Sequence, residues 1–377
     1  MGVFKSRSST LLKRHQIDAH FHDPYIMTGY RPPGDTLLNT LAYCIDTACN
    51  ESFNTLSHAA AALYFVVRFY RVYNTHWHEP IYWPLMCYSL GILAVFTLST
   101  VAHALNSLSK HARHRCFYFD YAGISIYGLG TGQVIYFYCR NFTTTTSVDG
   151  QNAGVVDAGI SDNSWFIIFL VCSIGTSLFT NILMCATRRQ WCTSKALYRT
   201  ASCVMPFLVN SIPYFLRLWD CGDNDDDCDT TSLPLYQKHV FYLLLTALSN
   251  VFKFPERSYP GRFDAFGQSH HFVHVFIFLA CADMFEFSAT EMTRRKHLVD
   301  KQPIVPSLYN TLVVTFVSVL VNLLIAYMFD STPESECSIG EQTTFGKNKK
   351  HSIITKSSFV INGCSDIYTD NNNDKNK

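Results

Sequence analysis

The sequence predicts an all-α polytopic membrane protein. Three observations carry that prediction: apolar runs of bilayer length recur, basic and acidic loops alternate between them, and His, Ser and Asp side chains gather at one end of the runs. A spanning helix needs about 20 predominantly apolar residues. Runs of roughly that length, with few or no charges, fall at 57–73, 81–105, 117–139, 164–186, 201–219, 239–254, 271–289 and 308–329. Polar loops and tails dilute them, so the mean hydropathy is only +0.07. The formal charge of +1 over 377 residues excludes a nucleic-acid partner, which needs a concentrated basic face.

Residues 1–33 are polar, basic and broken by Gly29, Pro32 and Pro33, so the first apolar run is expected to act as its own insertion signal. The 14 cysteines contain no CxxC pair, and most lie within apolar runs, where a free thiol behaves as a small hydrophobe. Cys221 and Cys228 differ, because they flank Asp223, Asp225, Asp226 and Asp227 in a polar loop. They either close a small disulfide on an extracellular face or stay free. The aspartates lack the glycine and terminal glutamate of a calcium loop and read as a solvated turn.

Loop charge sets the expected orientation. Lys5, Arg7, Lys13, Arg14 and Arg31 precede the first run, which puts the N-terminus in the cytoplasm under the positive-inside rule. By parity Lys110, Arg113, Arg115, Arg188, Arg189, Lys195, Arg199, Lys253, Arg257 and Arg262 follow it inside, while Asp149, Asp157, Asp162 and the 223–227 aspartates fall outside. Asn141, with Phe142 and Thr143, forms a glycosylation acceptor on the outer side, whereas the acceptor at Asn50 lies inside and is expected to stay unmodified. Arg294, Arg295, Lys296 and Lys301 break the scheme, because parity places them outside. Eight spans are read, and a seven-span form stays open on that account. The expected organisation is a cytoplasmic segment (1–50), a helical bundle (51–330) and a disordered cytoplasmic tail (331–377), in a multi-pass protein of the plasma membrane.

Ser99 and His103 are one turn apart near the end of the second run, Asp120 opens the third, and His270 and His274 are one turn apart at the start of the seventh. Alternating helix direction brings all five to the cytoplasmic leaflet. Three imidazoles are the ligand set of a zinc site with one open position, which would carry water. Asp120 is then expected to orient that water or take its proton, and Ser99 to hydrogen-bond a ligand oxygen or the substrate. The bland readings are an interfacial histidine at a helix end, a carboxylate favoured by the helix dipole, and a serine packed between helices. His271 is turned off the face shared by His270 and His274. Glu51, Asn54 and His58 share a helical face and read first as a hydrogen-bonded lock between helices, second as an outer shell. Asp283 and Glu286 are expected to line a polar interior. His15, His20 and His22 read as part of a solvated tail.

From about residue 25 to residue 289 the chain resembles the progestin and adipoQ receptor family. The blocks that carry the resemblance are Gly29-Tyr30-Arg31-Pro32-Pro33; Asn50-Glu51 with Asn54, Ser57 and His58; Ser99 with His103; Phe119-Asp120-Tyr121-Ala122-Gly123-Ile124; Phe254-Pro255-Glu256-Arg257; Pro260-Gly261-Arg262-Phe263-Asp264; and Ser269-His270-His271-Phe272-Val273-His274. Ser57 stands where the family usually has Thr, and His271 where Gln is usual. The resemblance implies a seven-helix core of the adiponectin-receptor type, here followed by an eighth span. It also implies Zn2+ on His103, His270 and His274, with Asp120 and Ser99 beside it. Within the family, one branch is associated with ceramide hydrolysis and another with steroid binding. The extra span and the segment 254–274 look more like the progestin branch. The expected function is a membrane receptor for a progestin or other steroid, signalling through a partner the sequence does not name. The alternative is a zinc-dependent ceramidase-type lipid amide hydrolase with Asp120 as general base.

Overall fold

The structure, a computed structural model, describes residues 11–141, 162–189, 194–221 and 230–331. Among these residues the regular secondary structure is helical, apart from one isolated bridge between Leu12 and Tyr30. A short helix, α1 (Leu37–Ala42), precedes α2 (Ser52–Tyr73), α3 (Trp83–Leu105), α4 (Lys110–Val134), α5 (Asp162–Arg189), α6 (Lys195–Asp220), α7 (Leu233–Phe252), α8 (Ser269–Val299) and α9 (Val314–Ser331). Each long helix covers one predicted apolar run. Phe142, Thr143, Asp149, Asp157, Asp223 to Asp227 and Cys228 lie outside the described residues, as does the tail from 332 on. Cys221 is disulfide-bonded, and its partner falls outside them too.

Local chemistry explains the helix ends. Ser109 accepts a hydrogen bond from the backbone N–H of Ala112 (3.0 Å) and caps α4. Pro84 and Pro234 stand in the first turns of α3 and α7, where a missing N–H costs nothing. Five stretches are long and apolar enough to cross a bilayer: Pro80–Leu105, Asn163–Arg189, Lys195–Asp220, Ser269–Val299 and Tyr309–Ser331. The last joins a π-helical turn (Tyr309–Val313) to α9. Its 23 residues reach about 34 Å at helical rise, enough for a hydrocarbon core of about 30 Å. α2, α4 and α7 are as long but more polar, with Arg68 and Arg71 in α2, Lys110, Arg113, Arg115 and Asp120 in α4, and Lys238 and His239 in α7.

Apolar side chains both fill the core and cover the outside. Phe65, Phe96 and Phe287 are fully buried, and so are Asn181, Ser177, Thr311 and Asn322, while Leu63 (65% exposed), Val171 (63%) and Phe316 (62%) face outward. A lipid solvent accepts an apolar exterior, and the buried polar groups bond across helices. Asn181 on α5 donates to the Asn322 carbonyl (2.9 Å) on α9, Ser177 to the Ser125 carbonyl (2.8 Å) on α4, and Asn210 on α6 to the Gly128 carbonyl (2.7 Å). α3 and α4 pack backbone to backbone: a Cβ on Gly91 would stand 2.7 Å from the Cα of Tyr127, and one on Gly130 2.7 Å from the Cα of Tyr88. The protein is a polytopic helical membrane bundle.

Three local readings change. Three of the four basic residues that broke the parity scheme, Arg294, Arg295 and Lys296, are not in a loop, because α8 runs on to Val299; Lys301 lies in the turn beyond it. Arg295 turns inward toward Glu291, one turn back, and donates to the carbonyls of Arg140 (2.8 Å) and Tyr138, while Glu291 also takes Arg217 (2.5 Å) and the Ser232 hydroxyl. Arg294 meets Thr231, and Lys296 meets Glu79 (3.2 Å). Glu286 does not line an interior. It is half-exposed and paired with Arg68 of α2 at the edge of the bundle, a partner that neutralises it there. Residues 11–50 are more than a solvated tail, since they fold onto the end of the bundle that holds the histidines. Asp264 accepts from the N–H groups of Met27 (3.1 Å) and Thr28 (2.7 Å), Arg113 pairs with Asp23 (2.9 Å), and His22 Nε2 sits 2.8 Å from the Arg14 carbonyl. His20 keeps its exposed character, paired with Asp18 (2.8 Å). Helix ends leave backbone groups unsatisfied, and this segment supplies partners for them.

Candidate metal centre

The last turn of α3 and the first turns of α8 meet beneath the folded N-terminal segment. His103 projects from α3, and His270 and His274, i and i+4, project from one face of α8. Their Nε2 atoms converge: His270 lies 3.2 Å from His103 and 3.3 Å from His274, and one ligand atom from each residue lies within 4.8 Å of the others. Ligand nitrogens on a tetrahedral zinc with bonds of about 2.0 Å stand about 3.3 Å apart. The spacing fits.

Groups behind the rings decide which nitrogens face the centre. Glu51, just before α2, is 2.7 Å from His103 Nδ1; a carboxylate only accepts, so Nδ1 carries the proton and Nε2 is bare in the neutral ring. The Ser57 hydroxyl donates to the Asn54 carbonyl (3.2 Å), which leaves it to accept from His274 Nδ1 (3.0 Å) and bares the His274 Nε2 as well. Bare lone pairs this close repel unless a cation or a proton sits at the junction. The three buried or half-buried imidazoles are therefore able to hold a metal ion.

Glu51 is itself clamped by Asn106 Nδ2 (2.5 Å) and Asn54 Nδ2 (2.8 Å). Burial alone would raise its carboxyl pKa, but His103, Arg31 and Asn54 outweigh that and hold it below the usual carboxylate range. Arg31 donates to the carbonyls of Ala104 (2.6 Å) and His103 (2.7 Å) and to Asn106 Oδ1 (2.6 Å), so a cation closes the C-terminus of α3 where the helix dipole favours one.

The other predicted residues are arranged less simply. Ser99 is buried one turn before His103. Asp120 interacts electrostatically with His103 and Arg188 but makes no side-chain hydrogen bond to the triad among the described residues. His271 packs against the Phe53 ring (4.4 Å), away from the centre. Of the two readings of Glu51, Asn54 and His58, the contacts favour the outer shell: Glu51 backs His103, and the His58 ring stacks on His274 with centroids 3.6 Å apart. Sequence reasoning gave Arg31, Ser57 and Asn106 no role at the site. Arg31 and Ser57 lay inside the resemblance blocks, and that was their only signal.

Fold and site together define an integral, multi-pass membrane protein with a metal-competent histidine centre inside one end of the bundle. The Haemolysin-III related family matches residues 47–285, and the chain belongs to it. Membrane progestin receptor gamma-B of Danio rerio is 28% identical over 82% of this chain and 90% of its own length. Membrane progestin receptor delta of Homo sapiens is 29% identical over 85% and 90%, and human membrane progestin receptor gamma 28% identical over 74% and 81%. The chain is thus a relative of the membrane progestin receptors, as the sequence blocks implied.

Proposed function

We propose that the protein is a membrane receptor for a progestin or related steroid, and that His103, His270 and His274 hold Zn2+. The observation that supports the receptor reading is likeness along nearly the whole length of proteins named as membrane progestin receptors. The zinc reading rests on the spacing of three Nε2 atoms and on the acceptors behind two of the rings. Loop charge supports a cytoplasmic N-terminus, which would put the centre in the inner leaflet of the plasma membrane and Asn141 outside, where it is an acceptor for glycan. Saturable progesterone binding to membranes from expressing cells is expected, and its absence at about 1 μM ligand, an affinity of about 8 kcal/mol, overturns the receptor reading.

One observation favours a second reading, hydrolysis of a lipid amide such as ceramide. Three neutral ligands leave a coordination position open, and a carboxylate, Asp120, stands within electrostatic reach of His103. Bound zinc would polarise a carbonyl and acidify water. Asp120 would take the proton from the attacking water and return it to the leaving amine, and Ser99 would hold the carbonyl oxygen in place. Fatty acid released from ceramide by the purified zinc-loaded protein, and lost in Asp120→Ala, supports this reading; no release from the wild type removes it.

A further inference from the structure

Helix α1 turns its apolar side chains away from the protein. Leu37, Leu38 (80% exposed) and Leu41 fall on an arc of about 100° at 3.6 residues per turn, and Ile45 (66%), in the 3-10 turn that follows, continues it. Thr40, Tyr43 and Cys44 are buried on the other side. A helix packed on a protein and facing water has the opposite pattern. Thr36 accepts from the Asn39 N–H (3.3 Å) and caps the helix, and the Ser52 hydroxyl at the start of α2 lies within hydrogen-bond reach of the Tyr43 (2.9 Å) and Asp46 (2.6 Å) carbonyls. Six residues do not persist as a helix in isolation, so the bundle itself holds these leucines outward.

A second observation fixes the depth. The Gly34 N–H donates to the Ser107 carbonyl (3.2 Å), just beyond the end of α3 at Leu105, where a stretch long and apolar enough to cross a bilayer stops. α1 therefore begins at the level at which the chain leaves the hydrocarbon core. A third is continuity. Leu56 stands one turn after Ser52 on the same face of α2, and Val101 one turn before Leu105 on α3, both exposed like the lipid-facing residues further along these helices. Phe266 (70% exposed), from the connection between α7 and α8, sets its ring edge-on to Phe53 (5.5 Å), one turn before Leu56. The apolar rim of the bundle thus runs from α1 across the start of α2 to Phe266.

We propose that α1 is an interfacial membrane anchor, lying in the plane of the bilayer surface at the histidine end with Leu37, Leu38, Leu41 and Ile45 in the boundary between headgroups and acyl chains. Amphipathic helices bury their apolar face about 5–10 Å into that boundary. A protein partner fits less well, because these side chains fall far short of the about 20–30 residues a side of a stable protein interface, and lipid already covers the neighbouring faces of α2 and α3. Part of the segment read from sequence as cytoplasmic is thus seated on the membrane. The assignment depends on neither the zinc nor the steroid reading, nor on which leaflet the histidine end occupies.

Benzoylphenylalanine placed at Leu38 of the full-length protein in phosphatidylcholine nanodiscs, irradiated and read by intact mass spectrometry, tests the anchor. The expected result is a mass gain equal to a single phospholipid. Ile45 is read in the same way where the Leu38 variant does not fold. The same probe at His15, exposed in the polar stretch with Lys13 and Arg14, is expected to take up no lipid. A doubled mass assigns the face to a second copy, and a crosslink within the chain, found after proteolysis, assigns it to another of its own segments; either overturns the proposal. A probe at the position read that couples to no lipid, or lipid uptake as high at His15, overturns it as well.

Discussion

Replacing Glu51 with Gln keeps the shape of the side chain while removing the charge behind His103. In the wild type the carboxylate meets three donors, His103 Nδ1 at 2.7 Å, Asn106 Nδ2 at 2.5 Å and Asn54 Nδ2 at 2.8 Å. A glutamine amide offers one oxygen to these donors and turns an NH2 toward at least one of them. That leaves a buried donor unsatisfied, at about 1–3 kcal/mol. If the orphan is His103 Nδ1–H, the ring loses its orientation; if it is an asparagine, the Arg31–Asn106 clamp on the end of α3 loosens. Both routes act on the metal through His103, and partners of this kind are worth roughly 10–100-fold in metal affinity, about 1.4–2.7 kcal/mol. Zinc affinity of the purified protein, measured by competition with a chromophoric chelator, is expected to fall within that range, with helicity retained. An affinity within about twofold of wild type would refute the role given to Glu51, because partners behind a metal-binding histidine are typically worth about tenfold or more.

Ser57→Ala removes a neutral acceptor at 3.0 Å from His274 Nδ1, so zinc affinity in the same chelator assay is expected to fall by less than for Glu51→Gln, by about 1 kcal/mol. Glu291→Gln removes the buried carboxylate paired with Arg217 at the opposite end of the bundle, and a loss of about 3–5 kcal/mol is expected in a detergent unfolding titration, with zinc content unchanged. Asn322→Leu removes the bond between α9 and α5 at a cost of about 0.6–2 kcal/mol, read as a lowered thermal midpoint.

The long helices were legible because each apolar run of about 20 residues reads clearly in a sequence, and five of the stretches they form are long and apolar enough to cross a bilayer. Even α4, whose first turns carry Lys110, Arg113 and Arg115, was found from the apolar run behind them. The triad was legible for a related reason: His270 and His274 share a helix face, and alternating helix direction returns His103 to the same end. Contacts between segments without periodicity were not legible. Arg31 closes α3 from more than seventy residues away, and only the fold brings the two together. Positive charge misled at Arg295, because charge counting takes every basic residue as solvated, whereas this one is buried against Glu291 and two carbonyls. A different rule, that an ionisable group at membrane depth lines a polar interior, misplaced Glu286, whose cost is met by Arg68 instead.

Metal content tests the central claim most directly. Full-length protein purified without chelator is expected to carry about one zinc per chain by elemental mass spectrometry, and His270→Ala, with helicity intact, to carry almost none. Wild-type protein that is well folded, binds its lipid environment and contains no zinc after dialysis against the metal would contradict the account.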